Sequence, residues 1–444
     1  MESISGRLAK AMNRREFAVT TAVSAASAQR ILGANNRVRI GLIGSGGRGR
    51  YVANFMRQAP NVEFVATADV WKDNAEKARE WAGGGAQAYA DFRKLLERKD
   101  IDAVLVGTPD HWHAMATILA CQAGKHVYVE KPLAHNIREG RAMVEAAKRY
   151  KRIVQAGTQQ RSAPHFREVA EILRSGEIGP VHFVRVWNFS NMLPDGIGKV
   201  PDQPAPEGLD WDMYCGPAKL VPYNPKRHLS TYRWFWDYAG GTITDYGTHR
   251  FDTIHQIMGV DAPKAVSASG GRYALKDAGE MPDVLQVTYE YPTFVMSYEA
   301  CNISAHGLGG RTPDMRYYNA RGREDRPNGM AFYGTGGSLF TDRVGYEIYP
   351  DGKSFSKAER RHKNTTDATS LHAVNFVDAI RGDKPPNAPV EIGHRSTIIA
   401  HLGNIAYQTG RKLRWDAERE EFTGDREANK LLGREARKPW NLVS

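Results

Sequence analysis

The strongest constraint on the fold of this 444-residue chain is a glycine-rich turn set between an apolar strand and a helix. Residues 38–43, Val-Arg-Ile-Gly-Leu-Ile, have the branched apolar character of a strand. They run straight into Gly44-Ser-Gly46-Gly47-Arg48-Gly49, after which the pattern turns helical to about Arg57. A GxGxxG sequence alone says little, but between a strand and a helix each glycine has a mechanical reason. Gly44 permits the tight turn, Gly46 lets the backbone approach a pyrophosphate, and Gly49 lets helix and strand pack closely. Gly47 and Arg48 complete a turn whose diphosphate would sit on the helix amino terminus, where free N–H groups and the helix dipole attract anions. A second strand over 62–69 ends on Asp69, 20 residues past Gly49. A carboxylate there accepts hydrogen bonds from an adenosine ribose and repels a 2′-phosphate, which favours NAD over NADP.

The alternation of strands and helices continues. A buried strand over 101–107 ends in Thr108-Pro-Asp-His-Trp112-His113, and another over 126–130 ends in Glu130-Lys131-Pro132. In an open parallel sheet, ligands bind beyond the carboxyl ends of the strands. The turns carrying Gly44–Gly49, Asp69, Thr108–His113 and Glu130-Lys131 should therefore share one crevice. Downstream, strand-like segments at 181–187, 265–270, 284–291, 293–301 and 330–334 follow one another without intervening helices, apart from helices expected after Arg161 to about 174, from the 242–249 segment to about 258, at 370–381 and at 396–409. Such runs of strands favour antiparallel pairing. The Pro/Gly-rich stretch 193–217 reads as an ordered loop near the mouth of the site.

The segment Ala123-Gly-Lys-His-Val-Tyr-Val-Glu130-Lys131-Pro132 resembles the AGKHVxxEKP sequence of the Gfo/Idh/MocA oxidoreductases, which include glucose–fructose oxidoreductase and inositol and sugar dehydrogenases. The resemblance spans roughly residues 37–430. It also rests on the glycine motif, Thr108-Pro-x-x-x-His113, and Gly240-Gly241-x3-Asp245-x3-His249. It implies an α/β protein with two parts: an amino-terminal Rossmann dinucleotide-binding domain over 37–157, and an α/β domain with a large, mostly antiparallel open sheet over 158–444. That second domain would form substrate and oligomer contacts, making the protein a homo-oligomer, dimer or tetramer.

Asp245 and His249 lie four apart on a segment expected to be helical, so they would share a face about 5–6 Å apart. Oxidising an alcohol requires a base for the hydroxyl proton, and histidine titrates near neutrality. A carboxylate can orient that base, and a lysine can stabilise negative charge developing on the same oxygen. In the family the matching Lys, Asp and His form the catalytic triad. The resemblance therefore makes His249 the base, Asp245 its partner and substrate anchor, and Lys131 the proton-relay or oxyanion residue. It also places Trp112 and His113 against the cofactor and Arg161 on the sugar or nicotinamide side. Tyr232, Arg233 and Trp236 precede the catalytic segment and offer aromatic faces and a cation to a sugar, although each Trp could equally belong to an aromatic core cluster. Thr108 and Glu130, at the two strand ends, are counted with the cofactor site.

The function expected is NAD-dependent oxidation of a secondary hydroxyl on a sugar, glycoside or cyclitol. The alternative is a redox-neutral NAD-dependent glycosidase of the α-N-acetylgalactosaminidase kind, which Tyr246-Gly-Thr-His249 resembles; that branch usually lacks the lysine present here as Lys131. No HExxH and no Cys-rich spacing occurs, and the three cysteines, Cys121, Cys215 and Cys301, assemble neither a disulfide framework nor a metal site, so no metal is expected. The net charge of +11 is spread along the chain, and its densest cluster, residues 359–363, reads as a solvated loop without interleaved aromatics, which argues against nucleic acid. No run of about 18 apolar residues appears, so no stable membrane insertion is expected. Asn13-Arg14-Arg15-Glu16-Phe17, a weakly apolar stretch and Ala26-Ser27-Ala28 resemble a twin-arginine leader over 1–36. Its partner would be the twin-arginine translocase, and its destination the periplasm or another extracytoplasmic space. There, without a pool of NAD(H), the cofactor would have to stay bound.

Overall fold

A computed structural model of the chain describes residues 37–305, 327–351 and 360–441; residues 1–36, expected to be a twin-arginine leader, lie outside them. Short apolar strands separated by helices build the first sheet: β1 (Val38–Ile43), β2 (Val62–Ala68), β3 (Gln87–Tyr89), β4 (Ala103–Val106), β5 (His126–Val129) and β6 (Val154–Ala156). They are all parallel, in the order β3-β2-β1-β4-β5-β6. Every residue of β4 is fully buried, as a strand covered on both faces must be. Strand order reverses between β1 and β4, and that switch point opens a crevice beyond their carboxyl ends.

The second sheet contains β7 (Val181–Asn191), β8 (Ala265–Gly271), β9 (Val284–Glu290), β10 (Val295–Cys301), β11 (Ile303–Ser304), β12 (Asn328–Gly334), β13 (Gly337–Asp342), β14 (Gly345–Pro350), β15 (Arg360–Lys363), β16 (Leu413–Asp416) and β17 (Glu421–Phe422). Its order is β15-β14-β13-β12-β7-β10-β9-β8-β16-β17, with β11 beside β7. Only β7 and β10 run parallel; the other pairs are antiparallel. Helices Pro164–Arg174, Thr248–Met258 and Val390–Thr409 bring Phe166, Phe251 and Ile399 against Val184, Met296 and Tyr298 of the sheet, forming its core.

Two elements depart from the sequence reading. The basic cluster is not a loop: residues 360–363 form the edge strand β15, paired to β14, with the His362 ring stacked on Tyr346 at 5.2 Å. A cationic edge is a common guard against further strand pairing. Helix Ala368–Arg381, although it comes from the carboxyl-terminal half, lies on the first sheet, where Ala373, Phe376 and Val377 pack against Ile40, Leu42 and Val52. The Gln155 amide donates to the His372 carbonyl at 2.9 Å, and the His372 ring reaches the Ala156 carbonyl at 2.9 Å. Burying Phe376 alone is worth roughly 2–3 kcal/mol.

Candidate active site

At the end of β1, Gly44 adopts φ +77°, and a Cβ there would stand 2.5 Å from the Thr108 amide nitrogen. Gly49 sits so close to the turn that a Cβ would approach the Gly44 carbonyl oxygen to 2.4 Å. Gly47 instead faces open space, and a Cβ on Gly46 would meet only the Asn74 amide at 4.0 Å. The helix that follows, Gly47–Met56, has no side-chain cap and no acidic residue in its first turn. Its leading N–H groups are therefore left for an anion. The Asp69 carboxylate accepts from the backbone N–H of Ser45 (2.8 Å) and of Trp71 (2.9 Å). Burial nevertheless raises its pKa to about 6.

The crevice beyond these turns encloses about 830 Å³. Its walls include Gly44, Gly46, Gly47, Arg48, Asp69, Thr108, Trp112, Glu130 and Lys131 from the first domain, with Tyr232, Arg233, Asp245 and His249 opposite. The ends of β1, β2, β4 and β5 thus meet in one place. Glu130 is buried; it pairs with Arg48 at 3.0 Å and accepts from Gln159 at 3.1 Å. Met213 and Tyr214, from the Pro/Gly-rich stretch, also line the crevice. That stretch is anchored where the Leu209 backbone bridges to Trp71 and the Gly208 carbonyl accepts from the Lys72 N–H at 2.9 Å.

Asp245 occupies a π-helical turn, Ile243–Gly247, directly before helix Thr248–Met258. Single π turns recur at functional sites. Lys131 Nζ donates to the Asp245 carboxylate and to its backbone carbonyl (2.9 Å), and Arg233 Nε lies 3.3 Å from the second carboxylate oxygen. Burial alone would push this carboxyl up, but the two cations hold it well below the ordinary range, so Asp245 is ionised throughout the working pH range. Tyr232 donates its hydroxyl to Asp110 at 3.0 Å, and the Arg233 guanidinium lies over the Tyr232 ring, 4.8 Å from its centroid. His249 is buried, and its Nδ1 has no hydrogen-bond partner among the described residues. Burial, reinforced by Lys131, Arg343, Arg48 and Arg250, lowers its pKa well below the ordinary histidine value. The ring is therefore held in its neutral form.

Four expectations need correcting. Asp245 is not held against His249: Lys131 and Arg233 take its oxygens, because two cations within bonding reach outcompete a neutral buried imidazole. Arg161 does not face the crevice. It grips the fully buried Asp252 at 3.0–3.1 Å, tying the turn after β6 to helix Thr248–Met258. His113 is buried behind the wall, with Nδ1 2.7 Å from the Pro132 carbonyl and Nε2 2.9 Å from the Thr108 carbonyl. It joins the two turns rather than touching a ligand. Trp236 is likewise absent from the crevice lining; its backbone N–H donates to Glu280 at 2.9 Å and its backbone carbonyl meets His135 at 2.8 Å. Trp112 does line the crevice, yet its indole N–H is committed to the Tyr214 carbonyl at 2.9 Å, so it offers a ring face rather than a donor. Tyr246 and Arg343 also line the crevice; the sequence reading met Tyr246 only within the Tyr246-Gly-Thr-His249 resemblance and Arg343 not at all, while Asp110, buried and outside the lining, holds the Tyr232 hydroxyl. Asp110 stood inside the Thr108–His113 turn and could have been found there. Arg343 comes from the β13–β14 turn, about a hundred residues downstream of His249, with no local motif to mark it.

Residues 38–158 match the oxidoreductase family NAD-binding Rossmann fold of the Gfo/Idh/MocA proteins, and residues 182–295 and 340–442 match that family's C-terminal α/β domain. The chain belongs to the Gfo/Idh/MocA oxidoreductase family. Among its relatives in that family is the scyllo-inositol 2-dehydrogenase (NAD(+)) of Bacillus subtilis, 25% identical over 88% of this chain and 99% of the relative. The myo-inositol 2-dehydrogenase of Thermotoga maritima is 28% identical over 56% of this chain, which spans only 62% of that relative's length. The WlbA dehydrogenase of Bordetella pertussis, solved with NADH and UDP-GlcNAcA, shares the fold with a TM-score of 0.62 at 18% identity, covering 86% of this chain and 99% of that one. Like other Gfo/Idh/MocA proteins, this one takes NAD. The open glycine turn, the uncapped helix and Asp69 fit the diphosphate and ribose of that cofactor, and Lys131, Asp245 and His249 stand at the other end of the crevice.

Proposed function

We propose that this protein is an NAD-dependent dehydrogenase for a secondary hydroxyl of a sugar, glycoside or cyclitol. The observation that carries the reading is the charged cluster at the crevice floor. There Lys131 and Arg233 clamp Asp245 beside a neutral, buried His249. Bound NAD would supply the hydride acceptor, held by the Gly44–Gly49 turn and Asp69. His249 takes the hydroxyl proton, since its ring is kept neutral by burial and by the surrounding cations. Lys131 holds an N–H toward the same oxygen and stabilises the charge that grows there as the proton leaves. Asp245 keeps Lys131 in position and presents its remaining lone pairs to a neighbouring hydroxyl. Arg233 and Tyr232 form the wall against which a polyol ring packs. The inositol dehydrogenases among the relatives support a cyclic polyol substrate. The leader sequence supports export with the cofactor already bound, because the twin-arginine route carries folded proteins.

The test is direct. Purified protein is denatured and the supernatant assayed for NAD; the intact protein is then mixed with a panel of inositols, aldoses and aryl glycosides, and absorbance at the NADH band is followed. Stoichiometric NADH without loss of an aglycone is expected. Aglycone release with no net NADH would replace this reading by the glycosidase one, and a protein that neither carries nor binds NAD would sink both.

A further inference from the structure

The crevice wall contributed by the second domain holds a leucine in a conformation that leucines avoid. Leu229 has φ +51°, inside the left-handed region where a Cβ crowds the following carbonyl. Among the described non-glycine residues Asn61, Lys151 and Glu420 also have positive φ, but none of them lines the crevice. Leu229 does line it, and the residue is 53% exposed. The strained turn thus presents apolar surface to the crevice rather than to the core. Folding gains little from that arrangement, and strain of this kind gathers at ligand clamps.

The turn is fixed on both sides of the leucine. The Arg227 carbonyl accepts from the Tyr214 hydroxyl at 2.9 Å, the His228 carbonyl from Thr231 Oγ1 at 3.1 Å, and the Ser230 carbonyl from Arg233 Nη1 at 3.1 Å. The His228 ring sits edge-on to Tyr214 at 5.0 Å and lies 5.3 Å from the ring of Trp71. Trp71 belongs to the first domain, two residues past Asp69. The backbone is docked on the same rim: the Lys72 N–H donates to the Gly208 carbonyl and the Asp210 N–H to the Val70 carbonyl, both at 2.9 Å. At its far end the segment carries Arg233, paired with Asp245. Residues 208–233 therefore run from the ribose end of the crevice to its catalytic floor, with Leu229 in between.

A dinucleotide stretched from Asp69 to the catalytic residues passes along this segment. Val70 and Met213 add apolar lining, one from each domain, and suit the base and ribose carbons of an adenosine. We propose that Leu229 is a cofactor-binding residue, through which the second domain packs on bound NAD and slows its release. The inference rests on the NAD cofactor alone and is tested without an alcohol substrate. An apolar contact added to a ligand already seated acts mainly on its dissociation rate.

The experiment loads the full-length protein with NADH, mixes it with excess NAD, and follows the loss of bound-NADH fluorescence by stopped flow. Leu229→Gly removes the side chain and lets the turn keep its φ without strain. It should release NADH at least about tenfold faster than the parent, while the melting temperature of the cofactor-stripped protein stays the same or rises. Gly208→Val tests the docking of the segment. Gly208 has φ +78°, and a Cβ there would stand 3.2 Å from Lys72 Cβ, so this variant should release NADH at least about threefold faster. A Leu229→Gly rate within about threefold of the parent overturns the contact with the cofactor. A lower melting temperature of stripped Leu229→Gly makes the leucine a structural residue and overturns it too. A Gly208→Val rate equal to the parent's overturns the part given to the docked segment.

Discussion

Replacing Lys131 with Met separates catalysis from cofactor binding. The ammonium group makes two bonds to Asp245, one to its carboxylate and one to its carbonyl, and stands on the turn after β5 facing the crevice. Its loss does not leave Asp245 alone, since Arg233 remains 3.3 Å from the other oxygen. The stability cost should therefore be about 1–3 kcal/mol, less than the 3–5 kcal/mol for stranding a buried charge. Removing a donor aimed at developing negative charge lowers kcat by roughly 10²–10³, about 3–4 kcal/mol of transition-state stabilisation. A second signature follows from His249. Burial is the main reason its pKa is low, and Lys131 is the strongest of the cations that add to it. With that cation gone the imidazole protonates more readily, so the acid limb of kcat/KM moves to higher pH. Single-turnover formation of NADH with a substrate from the polyol panel measures the rate, and fluorescence titration with NADH measures affinity, which should stay within about threefold. A variant whose turnover is within about threefold of the parent, or whose acid limb does not move, would refute the role given to Lys131.

Three further outcomes are expected. Gly49→Ala drives a Cβ to 2.4 Å from the Gly44 carbonyl, so it should cost about 1–3 kcal/mol in thermal unfolding and weaken NAD at least about tenfold, whereas Gly47→Ala, with nothing within 4 Å, should leave the melting temperature unchanged. Burial raises the Asp69 carboxyl to about 6, so it loses its charge as pH falls through that value; NAD affinity should drop below pH 6 in the parent and be weak and pH-independent in Asp69→Asn. Burial tends to raise Glu391 and Glu420, but Arg141 with its neighbours holds Glu391 at about 2, and His394 together with Arg141 holds Glu420 at about 2. Their contribution is therefore present above the ordinary glutamate range and disappears as pH falls toward 2. Arg141→Met should lower stability by about 3 kcal/mol at pH 7 in denaturant titrations, and a gap that persists undiminished at pH 2 would contradict the ion-pair origin.

What could be read in advance follows from the range of the interactions. The strand, turn and helix around Gly44–Gly49 were legible because local sterics decide them within a dozen residues, and Asp69 and Lys131 because a parallel sheet brings its strand ends together. Asp245 and His249 were found through their motif, but their partners were not. The choice between His249 and Lys131 depends on a contact that spans 114 positions of sequence. Arg161 and Trp236 were misplaced for the same reason. A polar residue in a turn has no periodicity to fix where its side chain points, and Arg161 turns toward Asp252, 91 positions away. His113 was drawn to the crevice by its motif, whereas two backbone carbonyls claim both of its ring nitrogens.

The helix Ala368–Arg381 makes the order of synthesis matter. The six strands of the nucleotide-binding sheet are complete by Ala156, but the residues that cover one face of it leave the ribosome roughly 200 positions later. At about 5–20 residues per second, the sides of Ile40, Leu42 and Val52 that this helix will cover remain open on the nascent chain for some tens of seconds. That interval is an opening for chaperones and for aggregation. A fragment ending near residue 158 would carry every element of the glycine turn and still expose an apolar face. The cofactor module of this protein is thus contiguous in sequence but completed only by the last third of the chain.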